Sequence, residues 1–391
     1  MTQLRTFEVP TVMKHGLGAI NALADEVKSL GMKRPLLVTD PGCVRAGLLD
    51  QAIAPLRAAN VDYVVFDRVA PNPGIALVDE GAAVYASEGC DGLIGLGGGS
   101  AMDTAKAIGV VASNGGSILA YEWADPQPIK RRIPPTLCVP TTAGTGSEVT
   151  LWAVITDPER KIKFNVGGAA EIGAWVALID PLLTVGLPAP VTAATGMDAL
   201  AHAIECYTCA YAQPFADSVA LLAMEYVGQY LRVAYAQGQN LEARYKMSMA
   251  AMLGGMAYGK ESAGAAHAMS QSAGGVHDVP HGALTARVLG PVMEYNYMGE
   301  PQKFARIAQA LGEDVRGLSV WQAAERACDA VNRLIEDVDI PTLHEMGFRE
   351  DEVPMLARIA FEDPQTIGNP RDLTEEAYRG IWRATFERGR K

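Results

Sequence analysis

"GLIGLGGGSAMDTAKAI", residues 92–108, reads as strand, tight turn and helix in one short stretch. Its first half carries no charge and fits a buried strand. Gly97, Gly98 and Gly99 let the backbone turn sharply and come close to a ligand with no Cβ in the way. Ser100 is placed to cap the following helix, and Asp103 three residues later completes a capping-box pattern. The helix N-terminus then offers free N–H groups and a positive dipole end, suited to a pyrophosphate. The stretch is not the G-x-G-x-x-G fingerprint, and Lys106 lies too deep in the helix for a Walker loop. Alone, it fits an ordinary glycine turn as well as a phosphate cradle.

The flanking sequence repeats the alternation. "PLLVTD" (35–40), "VDYVVFD" (61–67), "TLCVPTT" (136–142) and "WVALID" (175–180) read as further buried strands. Helix-length segments at 44–58 and 74–88 lie between them, which argues for a parallel sheet covered by helices. "LWAVITDPERKIKFNV" (151–166) interrupts the alternation and reads as a hairpin around Asp157-Pro158. Beyond "LPAPVTAATG" (187–196), long 3.6-period stretches replace strands, as in residues 215–237 and 319–338. The expected organisation is a Rossmann-like α/β domain over 1–186 and an all-α domain over 187–391. Their cleft is the natural place for a ligand.

With 391 residues, two domains are expected. The net charge of −12 gives no general attraction to nucleic acid or anionic lipid, so neither is an expected partner. No apolar run reaches membrane-spanning length, and "MTQLRTFEVPTVMKHG" lacks a signal-peptide core, which makes the cytoplasm the default location. The six cysteines are scattered rather than densely spaced. The Cys206/Cys209 pair has neither a second pair for zinc nor a thioredoxin-like context, and reads as incidental.

"PTTAGTGSE" (140–148) follows another strand and carries Thr141, Thr142, Thr145 and Ser147 beside glycines. Two such loops at strand ends favour a phosphate-containing cofactor. Asp40 ends the first of these strands, where a carboxylate accepts from an adenosine ribose and repels a 2′-phosphate; it equally suits a helix or turn cap. In "TGMDALAHAIE" (195–205), Asp198 and His202 stand four apart and share one helical face. A carboxylate and an imidazole are standard ligands of a divalent metal, although an isolated pair is more often an ion pair. "AAHAMSQSAGGVHDVPHGALTA" (265–286) adds His267, His277 and His281, half of the chain's histidines. With His267 and His281 added to the Asp198/His202 pair, one carboxylate and three imidazoles would leave a divalent ion able to polarise a substrate oxygen.

Taken in order, "PNP" (71–73), "GGGSAMDTAKAI" (97–108), "PTTAGTGSEVT" (140–150), "DPLLT" (180–184), "TAATGMDALAHAIE" (192–205), "HAMSQSAGGVHDVPHG" (267–282) and "NPRDLTEEAYRGI" (369–381) carry a resemblance. The chain resembles the iron-containing alcohol dehydrogenase family, which includes lactaldehyde reductase and propanediol dehydrogenase. The resemblance implies a dehydroquinate synthase-like fold with a dinucleotide-binding domain, a helical domain and a metal in their cleft. The implied metal ligands are Asp198, His202, His267 and His281. The implied cofactor contacts are Asn72, Gly97, Gly98, Gly99, Ser100, Thr141, Thr142, Thr145, Ser147, Lys163 and Leu182, with Asp40 favouring NAD over NADP. Lys163 equally reads as an exposed base on a hairpin.

Trp152 and Tyr258 fall at substrate-pocket positions in relatives, though either also reads as a packing aromatic. The chain departs from the family at Gln271, where a histidine is frequent, and at His277, where an aromatic is frequent. Both are candidate catalytic residues, with His277 as a proton relay or, equally, a loop histidine capping a carbonyl.

The implied activity is reversible hydride transfer between a small alcohol and NAD, with Fe(II) or Zn(II) lowering the pKa of the alcohol oxygen. The resemblance also implies a homo-oligomer, a dimer or larger. The competing readings are a metal-free maleylacetate reductase, a lyase of the dehydroquinate synthase type, and a silent NAD-binding protein. The complete ligand set disfavours the first and the close motif match the second.

Overall fold

Apolar runs at 35–38, 92–97, 136–140 and 176–179 form strands that are buried along their whole length. Such runs are stable in a parallel sheet with both faces covered. The computed structural model describes residues 5–123, 127–259 and 264–388. Residues 1–4, part of the stretch read above as lacking a leader, lie outside them. The chain divides into two units, Glu8–Gly186 and a second that begins at Leu187 and takes in the described residues before Glu8.

The first unit contains eight strands among its described residues: β1 (Val12–His15), β2 (Pro35–Val38), β3 (Val64–Phe66), β4 (Gly92–Gly97), β5 (Thr136–Pro140), β6 (Trp152–Asp157), β7 (Ile162–Gly167) and β8 (Val176–Ile179). Six of them make one parallel sheet in the order β1-β8-β5-β4-β2-β3. Its helices are α1 (Leu23–Ser29), α2 (Pro41–Arg45), α3 (Leu48–Ala58), α4 (Ile75–Ser87) and α5 (Gly99–Asn114). Successive side chains of a strand serve opposite faces. Leu36, Val38 and Leu93 join one core with Phe66, Val78 and Ile108. Leu37, Ile94 and Leu96 join the other with Leu23, Leu56 and Val139. The expected hairpin is the β6–β7 pair, with the Asp157 carboxylate accepting from the Glu159 and Arg160 amides in its turn.

Two expectations need correction, and one strand was missed. The segment 44–58 is two helices, because Asp40 and Pro41 start α2 early and Gly47, at φ +71°, breaks the chain before α3. Ser100 is not a cap: α5 begins at Gly99 with extended Gly98 as its N-cap, and Asp103 bonds elsewhere. The edge strand β1 went unread because its exposed "VMKH" has no alternation to betray it.

Among its described residues the second unit has no strand, and its α-helices are α6 (Ala189–Thr208), α7 (Pro214–Ala236), α8 (Leu241–Tyr258), α9 (Ala265–Val276), α10 (His281–Asn296), α11 (Pro301–Ala310), α12 (Val320–Asp337), α13 (Val353–Glu362) and α14 (Glu375–Glu387). The periodic stretches seen in the sequence become α7 and α12, the latter opened by a Ser319/Gln322 capping box. From Gly196 to Thr208 every residue of α6 is buried, so this helix lies inside the bundle, against α7, α8 and α10. No described helix is long and apolar enough to cross a membrane. The six cysteines are all buried and none is in a disulfide.

Candidate functional site

In the first unit the chain runs from β2 to β3 on one side, then crosses to β4 on the other. The carboxyl ends of β2 and β4 therefore flank a topological switch point, where open α/β sheets bind their ligands. Asp40 follows β2 and the triple glycine ends β4. Gly97 has φ +150°, and a Cβ there would lie 2.7 Å from the Ala101 Cβ and 3.1 Å from Asp40 Oδ2, so only glycine fits. A Cβ on Gly99 would lie 2.7 Å from Thr145 Cγ2, and one on Gly98 3.3 Å from Thr142 Oγ1. The Thr141 amide donates to the Gly97 carbonyl at 2.9 Å. The structure thus gathers Asp40, Gly97, Gly98, Gly99, Thr141, Thr142 and Thr145 at one end of the sheet, with Ser100 in the first turn of α5.

Asp40 is also a cap. Its Oδ1 accepts from the Gly42 and Cys43 amides and its Oδ2 from the Cys43 thiol. Burial, with the Asp40 charge second, pushes that thiol up to about 11. Ser147 turns inward: it is buried, and its hydroxyl donates to Asp103. Asn72, at φ +54°, precedes Pro73, whose carbonyl accepts from Thr156, and Thr156 stands opposite Lys163 in the β6–β7 pair. Lys163 is 8% exposed, so it is not a solvated surface base. Leu182 follows β8 and is 42% exposed. Trp152 is buried at the start of β6, edge-on to Trp123.

In the second unit, Asp198, His202 and Glu205 share one face of α6. Gly282 lets α10 approach, since a Cβ there would meet the Ala194 carbonyl at 2.3 Å; this brings His281 over Asp198. Gly264 likewise opens the way for Glu205 to the start of α9. Donor atoms of Asp198, His267 and His281 all lie within 4.8 Å of one another. Asp198 Oδ1 is 3.8 Å from His267 Nε2 and 3.7 Å from His281 Nε2. Both distances are too long for hydrogen bonds. Asp198 Oδ1 and His267 Nε2 are buried and have no hydrogen-bond partner. Buried polar atoms left in this way call for an explanation, and two ligands of one tetrahedral ion stand ~3.4 Å apart. The donor set fits a divalent metal. His202 is adjacent but outside this trio: its ring stacks on that of His267, with centroids 4.4 Å apart.

Glu205 escaped the sequence reading. Its carboxylate accepts from the Ala266 amide at 2.7 Å and the His267 amide at 3.3 Å, and it bonds His267 Nδ1. In the neutral ring that contact makes Nδ1 the protonated nitrogen and turns the Nε2 lone pair toward Asp198. Burial opposes charge on His267, yet Glu205 and then Asp198 and Asp363 outweigh it, so its pKa is raised. Asp363 itself is pushed up to about 7 by burial. Asn369, from the tail motif, accepts from the Ala265 amide and from Asn296, which supports the start of α9.

Tyr258 sits edge-on to His202 and donates to Gln365 at 2.9 Å. Gln271 is buried on α9, one turn after His267. His277 ends α9, with Nε2 at 3.1 and 3.2 Å from the Glu352 oxygens and its ring against Phe348. It therefore engages a carboxylate rather than capping a carbonyl. No sequence spacing pointed to Glu352, which lies 75 residues on.

Two family models match the chain: iron-containing alcohol dehydrogenase over residues 10–181, and the C-terminal part of the Fe-containing alcohol dehydrogenase family over 192–386. The choline dehydrogenase of Bacillus subtilis is 54% identical over 387 residues, covering 99% of this chain and 96% of that protein. The NAD-dependent methanol dehydrogenase of Bacillus methanolicus is 40% identical, covering 95% and 97%. A crystal structure of 1,3-propanediol oxidoreductase superposes with a TM-score of 0.93 at 40% identity, covering 98% of this chain and all of that one. The chain belongs to the iron-containing alcohol dehydrogenase family.

Proposed function

We propose that this dehydrogenase interconverts a small alcohol and its aldehyde with NAD, using a divalent metal, Fe(II) by preference, held by Asp198, His202, His267 and His281. The observation that carries the reading is the buried Asp198 Oδ1, unbonded, with two imidazole nitrogens 3.7 and 3.8 Å away. When bound, the metal supplies Lewis-acid polarisation of a substrate oxygen and NAD accepts or returns the hydride.

The chain's own residues do the rest. Glu205 holds the proton on His267 Nδ1, so that Nε2 presents a lone pair. The α5 N-terminus at Gly98, Gly99 and Ser100 binds the pyrophosphate through backbone N–H groups. Thr141, Thr142 and Thr145 donate hydroxyls beside it, Asp40 accepts from the adenosine ribose, and Asn72, Lys163 and Leu182 line the remaining cofactor surface. Tyr258 in the helical unit and Trp152 in the sheet unit are the substrate-side candidates, each within its own unit. The hydroxyl proton of the alcohol leaves through His277, with Glu352 fixing its ring and Gln271 offering hydrogen bonds along the way.

Similarity to the Bacillus choline dehydrogenase supports testing choline beside ethanol, 1,3-propanediol and lactaldehyde. The test is absorbance at the reduced-nicotinamide band with that panel, before and after chelation and after Fe(II) or Zn(II) return. Turnover that vanishes on chelation and returns with metal is expected. Turnover that survives exhaustive chelation would remove the metal from the proposal. His277→Ala should lower turnover and shift its pH profile; unchanged profiles would end the relay.

A further inference from the structure

Lys106 and Asp103, one turn apart on α5, are buried charges that the proposed chemistry does not use. Lys106 is fully buried. Its Nζ donates to the Ser147 carbonyl at 2.9 Å, to Thr150 Oγ1 at 3.3 Å and to the Trp152 carbonyl, and stands 3.2 Å from Asp103 Oδ1. Asp103 Oδ1 accepts from the Ser147 hydroxyl at 2.5 Å, and Oδ2 from the Val154 amide at 3.1 Å. The line continues outward, because the Ser147 amide donates to Thr145 Oγ1 at 3.2 Å and the Thr145 side chain abuts Gly99. One helical turn therefore ties together the glycine loop, the hydroxyl loop and the β6–β7 hairpin that carries Lys163.

A buried ion pair can commonly be replaced by well-packed apolar residues of similar volume at little cost, so stability alone does not account for the charges here. We propose that Lys106 and Asp103 are positioning residues for the dinucleotide: they hold the Thr141–Ser147 loop at the spacing from the α5 N-terminus that a pyrophosphate needs. The proposal rests on the reading of this end of the sheet as the NAD site.

The test is NAD and NADH affinity, read by tryptophan quenching and calorimetry on metal-free Lys106→Met, Asp103→Asn and Ser147→Ala proteins. Binding to the metal-free protein separates the result from the chemistry of the helical unit. Lys106→Met and Asp103→Asn should weaken NAD about tenfold or more, the loss of one charge-assisted hydrogen bond network. Ser147→Ala, which keeps the carbonyl for Lys106, should weaken it less. In the metal-loaded variants KM for NAD should rise, while KM for alcohol at saturating NAD and the metal content stay near wild type.

Lower melting temperatures with wild-type NAD affinity would overturn the proposal, leaving a purely structural ion pair. If Lys106→Met does not fold, the same comparison on Asp103→Asn and Ser147→Ala decides, and affinities within twofold of wild type overturn it. A wild-type protein that binds no NAD would instead overturn the cofactor reading itself.

Discussion

At the scale of single residues, Glu205 shows how much of the proposed metal site lies outside its ligands. It bonds His267 through Nδ1 and steadies the first amides of α9 with the same carboxylate. Glu205→Gln keeps the size of the side chain but removes the charge that favours one tautomer. Outer-shell partners of this kind cost about 10–100-fold in metal affinity when changed. We expect that loss in a chelator competition with Co(II) or Zn(II), with far-ultraviolet circular dichroism unchanged; wild-type affinity would deny Glu205 the role. Of the four proposed ligands, Asp198, His267 and His281 come together, as the helical spacing and the histidines crowded into 265–286 suggested, while His202 stands beside them. Glu205 was not legible as a partner: it lies 62 residues from His267, and only the packing allowed by Gly264 joins them.

At the scale of elements, the glycines decide what can approach what. Gly97 and Gly99 bring β4, α5 and the loop after β5 together, and Gly282 seats α10 on α6. The strand–turn–helix reading of 92–108 held because apolar strand, glycines and helix follow one another locally. The capping of α5 was misread because Asp103 finds Ser147 and Val154, partners more than forty residues away, a tertiary preference that local pattern does not carry.

The same loop holds Glu148, which burial pushes from an ordinary 4.5 up to about 7. The folded chain keeps this proton over a range where the unfolded chain has lost it. Folding stability therefore falls as pH rises from about 4.5 to about 7. Glu148→Gln should remove that slope, so its melting temperature relative to wild type should rise across this window and level off above it. A difference that does not change with pH would contradict the assignment.

At the scale of the whole chain, the two units differ in kind: one carries glycine-rich loops on a parallel sheet, the other a donor cluster inside a helical bundle. The change from strand alternation to long helical periods near residue 187 was legible because the two periods differ. The edge strand β1 and the break between α2 and α3 were not, since a short exposed strand and a left-handed glycine leave little periodic trace. Binding of a ligand to the folded state alone raises stability by mass action, about 2.7 kcal/mol at a hundredfold excess over Kd. Chelated protein should therefore melt at a lower temperature than metal-loaded protein. The most direct measurement is calorimetric titration of metal-free wild type and Asp198→Ala with Fe(II) under anaerobic conditions and with Zn(II). One ion bound per wild-type chain, with binding lost in the variant, is the predicted result; no binding by wild type, or equal binding by both, would contradict the metal centre.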